Sequence, residues 1–152
     1  MSIRSILHAP NKILSAPGKM VSRPLSSEIE GLIADMKDTV IASNGIGLAA
    51  PQIGASLRVI VINFEKEPYA IINPEIKWSS NGTSALEEGC LSVPDYFVKI
   101  SRPKKIIITG MNEKGETIEI KAKDMLAKIF QHEIDHTNGI LISNYQENRI
   151  LF

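Results

Sequence analysis

The stretch FQHEIDHTNG, residues 130–139, places two of the three histidines of the chain four positions apart. Residues i and i+4 lie one above the other on the same face of an α-helix, so the rings of His132 and His136 would point to one place. Two imidazoles at this spacing can share a metal ion, and Glu133 can then act as a general base toward a water molecule. The alternative is two histidines on a partly exposed helix, balanced by Glu133 and Asp135.

The residues around this motif have the periodicity of an amphipathic helix. We predict a helix over residues 124–137, closed by Asn138-Gly139, because asparagine and glycine tolerate the left-handed turn that ends helices. Met125 and Ile129 precede His132 by seven and three positions and therefore continue the stripe that carries the two histidines. The metal ion would lie beside an apolar wall.

A second helix is predicted toward the other end of the chain. Ser27 to Glu30 has the pattern of a capping box, and apolar residues follow at helical spacing. This helix of about four turns should end at Ser43-Asn44-Gly45.

Segments rich in β-branched residues lie between the two helices, and they predict strands that are mostly antiparallel. Turn signals such as Asn73-Pro74 and Asn81-Gly82 separate them. Helices at both ends with strands between them predict an α+β fold, and the length of 152 residues fits one domain spanning 1–152. The predicted strands are 57–64, 69–73, 104–110 and 116–122.

The charge balance excludes several classes of partner. Lys plus Arg and Asp plus Glu number 17 each, so no basic field is present to attract nucleic acid or an anionic membrane. No apolar run approaches the length of a membrane span or of a signal-peptide core. The single cysteine cannot form an internal disulfide, which fits a reducing compartment. We therefore expect a cytoplasmic monomer without nucleic-acid or membrane partners.

The single cysteine, Cys90, lies in the stretch LEEGCLSVP between Gly89 and Pro94, where alternating apolar character indicates an extended segment. A free cysteine is commonly a small buried hydrophobic residue. One cysteine with two histidines would instead leave one position of a tetrahedral metal site open, as in catalytic sites. Thiolate and imidazole suit zinc or ferrous iron, and residue type alone does not choose between them.

A third stretch, GIGLAAPQIG at residues 45–54, combines glycines with an amide side chain. Its glycines permit close approaches that a side chain would block, and Gln52 offers an amide donor after a rigid proline. A phosphate-binding loop would need a strand before it and a helix after it, the reverse of the predicted order, so a nucleotide site is rejected. The alternative is a tight connection from helix to strand.

Taken together and in this order, the stretches GIGLAAPQ, EGCLS and QHEIDH resemble the three signature motifs of peptide deformylases. The segment ILHAPNKIL, residues 6–14, is similar to the opening segment of that family. Members of the family remove the formyl group from N-formylmethionine at the start of newly made polypeptides. The resemblance implies antiparallel strands packed around a central helix that carries the HExxH motif and binds the metal.

The resemblance also implies roles for individual residues. Cys90, His132 and His136 would bind the metal ion, which is Fe²⁺ in the family, with Zn²⁺, Ni²⁺ or Co²⁺ as substitutes. Glu133 would be the catalytic acid and base.

Two donors would stabilise the oxyanion that forms during the reaction, namely the Gln52 side chain and the backbone N–H of Leu91. An adjoining apolar pocket would take the methionine side chain. The residues that we expect to bind the substrate are Ile46, Gly47, Leu86, Glu88, Gly89, Met125 and Ile129.

The sequence departs from the family pattern at several positions. The family usually continues past the third motif into a long C-terminal helix, whereas this chain ends at Phe152, sixteen residues beyond His136. We therefore expect a short form that lacks this helix; its partners would be N-formylmethionyl nascent chains, and the ribosome contact of bacterial members is left open. Tyr96 and Phe97 replace the residues that usually meet the peptide, and Lys128 lies where the helix is usually apolar.

Two competing functions use the same residues. A zinc metallopeptidase shares the helical HExxH motif, although a cysteine ligand upstream of the helix argues against it. A binding module could keep a metal-supported fold without turnover. Release of formate from a formylated dipeptide discriminates both from a deformylase.

Overall fold

The structure is a computed structural model, and it describes residues 2–145. This part of the chain contains two α-helices, seven strands and two short 3-10 helices. The expectation of a short C-terminus falls partly on residues 146–152, which lie outside the described part. In chain order the elements are α1 (Ser27–Ala42), β1 (Gly47–Ala49), a 3-10 helix (Ala50–Ile53), β2 (Val59–Ile62), β3 (Tyr69–Ser79), β4 (Thr83–Cys90), β5 (Val93–Pro103), β6 (Lys105–Met111), β7 (Thr117–Lys123), α2 (Asp124–Thr137) and a second 3-10 helix (Ile142–Asn144).

The strands form one large and one small antiparallel sheet. The five-stranded sheet has the order β1-β2-β3-β6-β7, and each neighbouring pair is antiparallel. Strands β4 and β5 form a separate two-stranded sheet. The last residue of β4 is Cys90, so this small sheet carries one of the predicted ligands.

The large sheet is covered on both faces, and β2 shows why. All four of its residues are buried, with Val59 and Val61 in the cluster that contains α1 and with Ile60 and Ile62 in the cluster that contains α2. Successive side chains of a strand point to opposite faces, so an uninterrupted apolar run requires cover on each side. The two helices provide that cover.

Helix α2 has the bounds that the sequence predicts. Phe130 and Ile134 lie in the cluster beneath the large sheet, whereas His132 is half-buried on another side of the helix. The predicted α+β class, with antiparallel strands packed around the HExxH helix, is confirmed. Within residues 2–145, no helix combines the length and the apolar character needed to cross a bilayer.

Several local predictions differ from the structure. Ser26, and not Ser27, caps α1, because the Ser26 Oγ accepts a hydrogen bond of 3.3 Å from the Ile29 N–H. The Asn73-Pro74 pair is not a turn: β3 continues through it, with Asn73 in the left-handed region (φ 53°) and a shift of register against β6. One extra residue can thus bend a strand without ending it.

Three strands were not predicted, namely β1, β4 and β5. Strand β4 exposes most of its side chains, so it lacks the run of buried β-branched residues by which the other strands were recognised. Strand β1 has only three residues. The extended conformation expected around Cys90 is present at the end of β4.

Candidate metal centre and active site

Cys90, His132 and His136 come together from β4 and α2. Their ligand atoms all lie within 4.8 Å of one another, and the Cys90 Sγ is 3.3 Å from the His136 Nε2. With bonds of about 2.3 Å to sulfur and about 2.1 Å to nitrogen, a tetrahedral ion would hold such a pair about 3.6 Å apart. One thiol and two imidazoles at this separation fit a divalent transition-metal ion.

The orientation of the imidazoles supports the same fit. The Nδ1 of His132 lies 2.9 Å from the Glu88 Oε1. Donation from this nitrogen to a carboxylate leaves the Nε2 lone pair free for a metal ion. Within residues 2–145, the His136 Nδ1 and the Glu133 Oε2 are buried side-chain atoms without a hydrogen-bond partner. Such atoms are uncommon in proteins. The Glu133 oxygen, beside the predicted ligands, fits a site that receives another group, whereas the His136 Nδ1 is the ring nitrogen opposite the one that approaches Cys90.

Glu133 lies beside the three predicted ligands. Its Oε1 is 4.0 Å from the His132 Nε2, and the residue is only 4% exposed. Burial, with a further contribution from the charge of Glu88, raises the pKa of Glu133 to about 7. A carboxyl with a pKa close to neutral pH is suited to accept and return a proton.

The two histidines have opposite pKa shifts. Burial lowers the pKa of His132, but hydrogen bonding to Cys90 and Glu88 outweighs it and raises the pKa to about 10. Burial, together with the charge of His132, places the pKa of His136 well below its ordinary value. Because a ligating imidazole must give up the proton on its ligating nitrogen, the raised pKa of His132 makes metal affinity dependent on pH.

Gln52 is held with its amide nitrogen toward the ligands. Its Oε1 accepts a hydrogen bond of 2.9 Å from the Ala49 N–H, so the amide nitrogen, Nε2, is the donor on the other side of the group. The Nε2 donates to the Ser92 Oγ at 3.1 Å and lies 3.8 Å from the Cys90 Sγ. The signature stretch thus places a buried donor beside the predicted ligands.

Gly47 permits the close approach of β1 to α2. A Cβ atom at this position would lie 2.8 Å from the Oε1 of Glu133 and 2.9 Å from its Cγ. Atoms at these distances overlap, so any larger residue would displace the carboxylate. The glycine-containing stretch is therefore more than a tight connection between a helix and a strand.

The site opens into a cavity of about 430 Å³. Of the residues expected to bind substrate, five line it: Ile46, Gly47, Glu88, Gly89 and Ile129. Leu86 and Met125 do not line it. Leu86 borders a smaller crevice instead, and Met125 lies in the first turn of α2, a full turn away from Ile129.

The carboxylate of Glu88, a residue that lines the cavity, contacts two other side chains of the protein. Both of its oxygens accept hydrogen bonds from Arg102, at 2.6 and 3.0 Å, and the Oε1 also contacts His132. Burial alone would raise the pKa of Glu88, but its bonds to His132 and Arg102 lower it. The Glu88 carboxylate is thus placed to orient the ring of His132, a predicted ligand.

Two residues of the site were missed by the sequence analysis. Arg102 is 7% exposed and continues the inward-facing positions of β5 after Val98 and Ile100, so the two-residue period of the strand was a usable signal. Ser92 is fully buried against Gln52, but serine is ordinary in a turn, and the sequence offers no signal for it.

Phe97 and Lys128 also line the cavity. The Phe97 ring lies over Gly89, where a Cβ atom would be 2.8 Å from the ring, and the residue is 46% exposed. The Lys128 Nζ donates a hydrogen bond of 3.0 Å to the Glu87 carbonyl oxygen. The cavity is thus bordered by an exposed aromatic ring and by the aliphatic stem of a lysine.

Comparisons with known proteins agree on one family. The family model for polypeptide deformylase matches residues 3–149. The peptide deformylase of Bartonella tribocorum is 42% identical over 152 residues, an alignment that covers 95% of this chain and 85% of the relative.

Two solved structures share the fold. The peptide deformylase of Thermotoga maritima is 37% identical and superposes with a TM-score of 0.92 over 100% of both chains. That of Ehrlichia chaffeensis in complex with actinonin is 40% identical, with a TM-score of 0.90 and coverage of 95% of this chain and 89% of the other. The chain belongs to the peptide deformylase family.

Proposed function

We propose that the metal ion of this chain is held by Cys90, His132 and His136. The enzyme removes the formyl group from N-formylmethionine on newly made polypeptides. The observation that carries the assignment is the convergence of one sulfur and two imidazoles within 4.8 Å, beside the buried carboxylate of Glu133. Family membership accounts for the reaction, and the geometry supports the proposed roles of these residues in it.

For the resident ion we propose Fe²⁺, with Zn²⁺, Ni²⁺ or Co²⁺ as substitutes. One thiolate with two imidazoles is a donor set that suits each of these ions. Metal analysis of protein purified without oxygen identifies the resident ion.

Cys90, His132 and His136 would hold a divalent ion, which would supply Lewis acidity toward a water molecule and the formyl carbonyl group. Glu133 accepts the proton of the water that attacks the formyl carbon. It then delivers this proton to the amino nitrogen as the C–N bond breaks. The products are formate and a polypeptide with a free methionine amine.

Gln52 and Leu91 stabilise the charge that grows on the formyl oxygen during the attack. The Gln52 Nε2 is already oriented toward the site by the contact of its Oε1 with Ala49. The backbone N–H of Leu91 lies in the turn that follows Cys90, at the wall of the same cavity. Donors placed before the reaction stabilise the transition state without reorganisation.

The cavity beside the ligands accepts the methionine side chain. Ile46, Gly47, Gly89 and Ile129 form its walls, and they offer an apolar surface to a thioether. A formyl group carries only a hydrogen atom beyond its carbonyl, so a narrow opening at the ligands would exclude acetyl groups.

We further propose that residues 1–152 act as one catalytic domain and as a monomer. The substrates are nascent chains, which arise where ribosomes translate, so the expected location is the cytoplasm.

Formate release from formyl-Met-Ala, measured with protein loaded with Fe²⁺ or Ni²⁺, tests the function. Unformylated Met-Ala is the matched substrate: a zinc peptidase would cleave its peptide bond, and a deformylase leaves it intact. An inactive binding module would carry the metal ion and release no formate.

The change Gln52→Ala should lower kcat about a hundredfold, because one oxyanion donor typically contributes about 3 kcal/mol to the transition state. Its KM should change little, since the donor acts on charge that is absent from the ground state. Steady-state formate release measures both constants. An unchanged kcat with a raised KM would assign Gln52 to substrate binding instead.

The change Gly47→Ala should lower kcat by about a hundredfold through displacement of Glu133, since small misplacements of a catalytic group have effects of this size. Gly31→Ala is the matched control, because a Cβ atom at Gly31 meets nothing within 4 Å. The metal content of both variants should equal that of the unmodified protein. If Gly47→Ala retains full kcat, the carboxylate has room to move without loss of function.

A further inference from the structure

A continuous chain of polar contacts extends from a predicted ligand to the segment after α2. The His132 Nδ1 contacts Glu88, and Glu88 accepts two hydrogen bonds from Arg102. The Arg102 Nη1 donates to the Asp135 Oδ2 at 3.0 Å. The Tyr145 Oη donates to the same Asp135 oxygen at 2.7 Å. Four elements of the fold therefore meet in one network: β4, β5, α2 and the segment that follows α2.

Each contact in this network restricts the next side chain. Arg102 binds Glu88 through two parallel N–H groups, an arrangement that fixes the relative orientation of guanidinium and carboxylate. Asp135 holds the opposite edge of the guanidinium group. Glu88, whose Oε1 is shared between Arg102 and His132, can turn only if the guanidinium turns as well.

Tyr145 restricts the far end of the network in two ways. Its hydroxyl group holds the Asp135 carboxylate, and its ring centroid lies 5.1 Å from the Arg102 Cζ, within the range of a cation–π contact. Burial and the bond to Asp135 raise the pKa of Tyr145 to about 12, so the hydroxyl group remains a donor throughout the working pH range.

We propose that Tyr145, together with Asp135, is a positioning residue for the metal site, acting on the His132 ring through Arg102 and Glu88. The physical basis is that the partner of the second ring nitrogen sets the orientation of a ligating histidine and its strength as a ligand. The network extends that control from Glu88 through Arg102 and Asp135 to Tyr145. This inference rests on the proposed role of His132 as a ligand.

The test is the rate at which Co²⁺-loaded protein releases its metal to excess chelator, read together with the visible absorption bands of the bound ion. Tyr145→Phe keeps the ring over Arg102 and removes only the hydroxyl group. We expect release about tenfold faster and a shift of the absorption bands, in line with the effects of outer partners of ligands. Tyr69→Phe, which removes a hydroxyl group on β3, is the matched control and should match the unmodified protein.

A double-mutant cycle separates positioning from a general loss of stability. Asp135→Asn weakens the contacts to both Arg102 and Tyr145, so it should accelerate release at least as much as Tyr145→Phe. If Tyr145 acts through Asp135, the double variant should release metal no faster than Asp135→Asn alone. Additive effects, or unchanged release in Tyr145→Phe, would overturn the inference.

Two further outcomes are distinguishable. If Tyr145→Phe does not fold, as judged by circular dichroism, Asp135→Asn decides, and an unchanged release rate in that variant would contradict the positioning role. Failure of the unmodified protein to bind Co²⁺ would refute the proposed metal site itself.

Discussion

Protein with the change Cys90→Ala, His132→Ala or His136→Ala is expected to be purified without its metal ion and to release no measurable formate. Each change removes one of the three predicted ligands, whose atoms lie within 4.8 Å of one another. Loss of a residue that only hydrogen-bonds to a ligand lowers metal affinity about 10- to 100-fold. Loss of a ligand itself should therefore lower the metal affinity by more than about a thousandfold. Elemental analysis and the formate assay measure the two effects.

The third histidine provides a matched control for these changes. His8 is exposed and lies outside the site, so His8→Ala should keep both the metal ion and the activity. A folded Cys90→Ala protein with one full equivalent of metal would contradict the assignment of the sulfur as a ligand. The same result for either helical histidine would remove that residue from the site.

The change Glu133→Gln should retain the metal ion and lower kcat about 10³- to 10⁴-fold, which is the upper part of the range for general acid and base catalysis. Glutamine has nearly the shape of glutamate, so the neighbouring ligands keep their positions. It cannot accept a proton from water, and it has none to deliver to the leaving amine. Single-turnover formate release, measured on protein of known metal content, isolates the chemical step.

Glu75→Gln is the matched control, because Glu75 is exposed on β3, and its activity should equal that of the unmodified protein. Loss of the metal ion from Glu133→Gln would show that the carboxylate contributes to metal binding. A Glu133→Gln protein that keeps both metal and activity would falsify its role as acid and base. The combination of retained metal and lost turnover distinguishes Glu133 from the three ligands.

The helix that carries the HExxH motif was predictable because its information is local. Apolar residues at helical spacing, closed by Asn138-Gly139, predicted the bounds 124–137 that the structure has. The four-residue separation of His132 and His136 placed both rings on one side of that helix. Nothing distant in the chain was needed for either conclusion.

The small sheet was less predictable because its information is not local. Strand β4 faces solvent along most of its length, so the usual apolar pattern of a strand is absent. In its pairing with β5, Glu88 lies opposite Val98 and Arg102 lies opposite Ser84, so the contact of Arg102 with the Glu88 carboxylate is not one between paired residues. The two-residue period of β5 indicates that Arg102 is buried, but it does not indicate which side chain Arg102 contacts.

The sequence by itself determined the helices, the presence of an α+β fold and the residue types of a metal site, because each is encoded in the spacing of neighbouring residues. Only the tertiary structure decided that Cys90, 46 positions before His136, lies 3.3 Å from it, and that Leu86 and Met125 stand outside the cavity. It alone revealed that the Glu88 carboxylate contacts both His132 and Arg102. The physical reason is that such contacts depend on how separate elements pack, and packing couples residues that no local pattern connects.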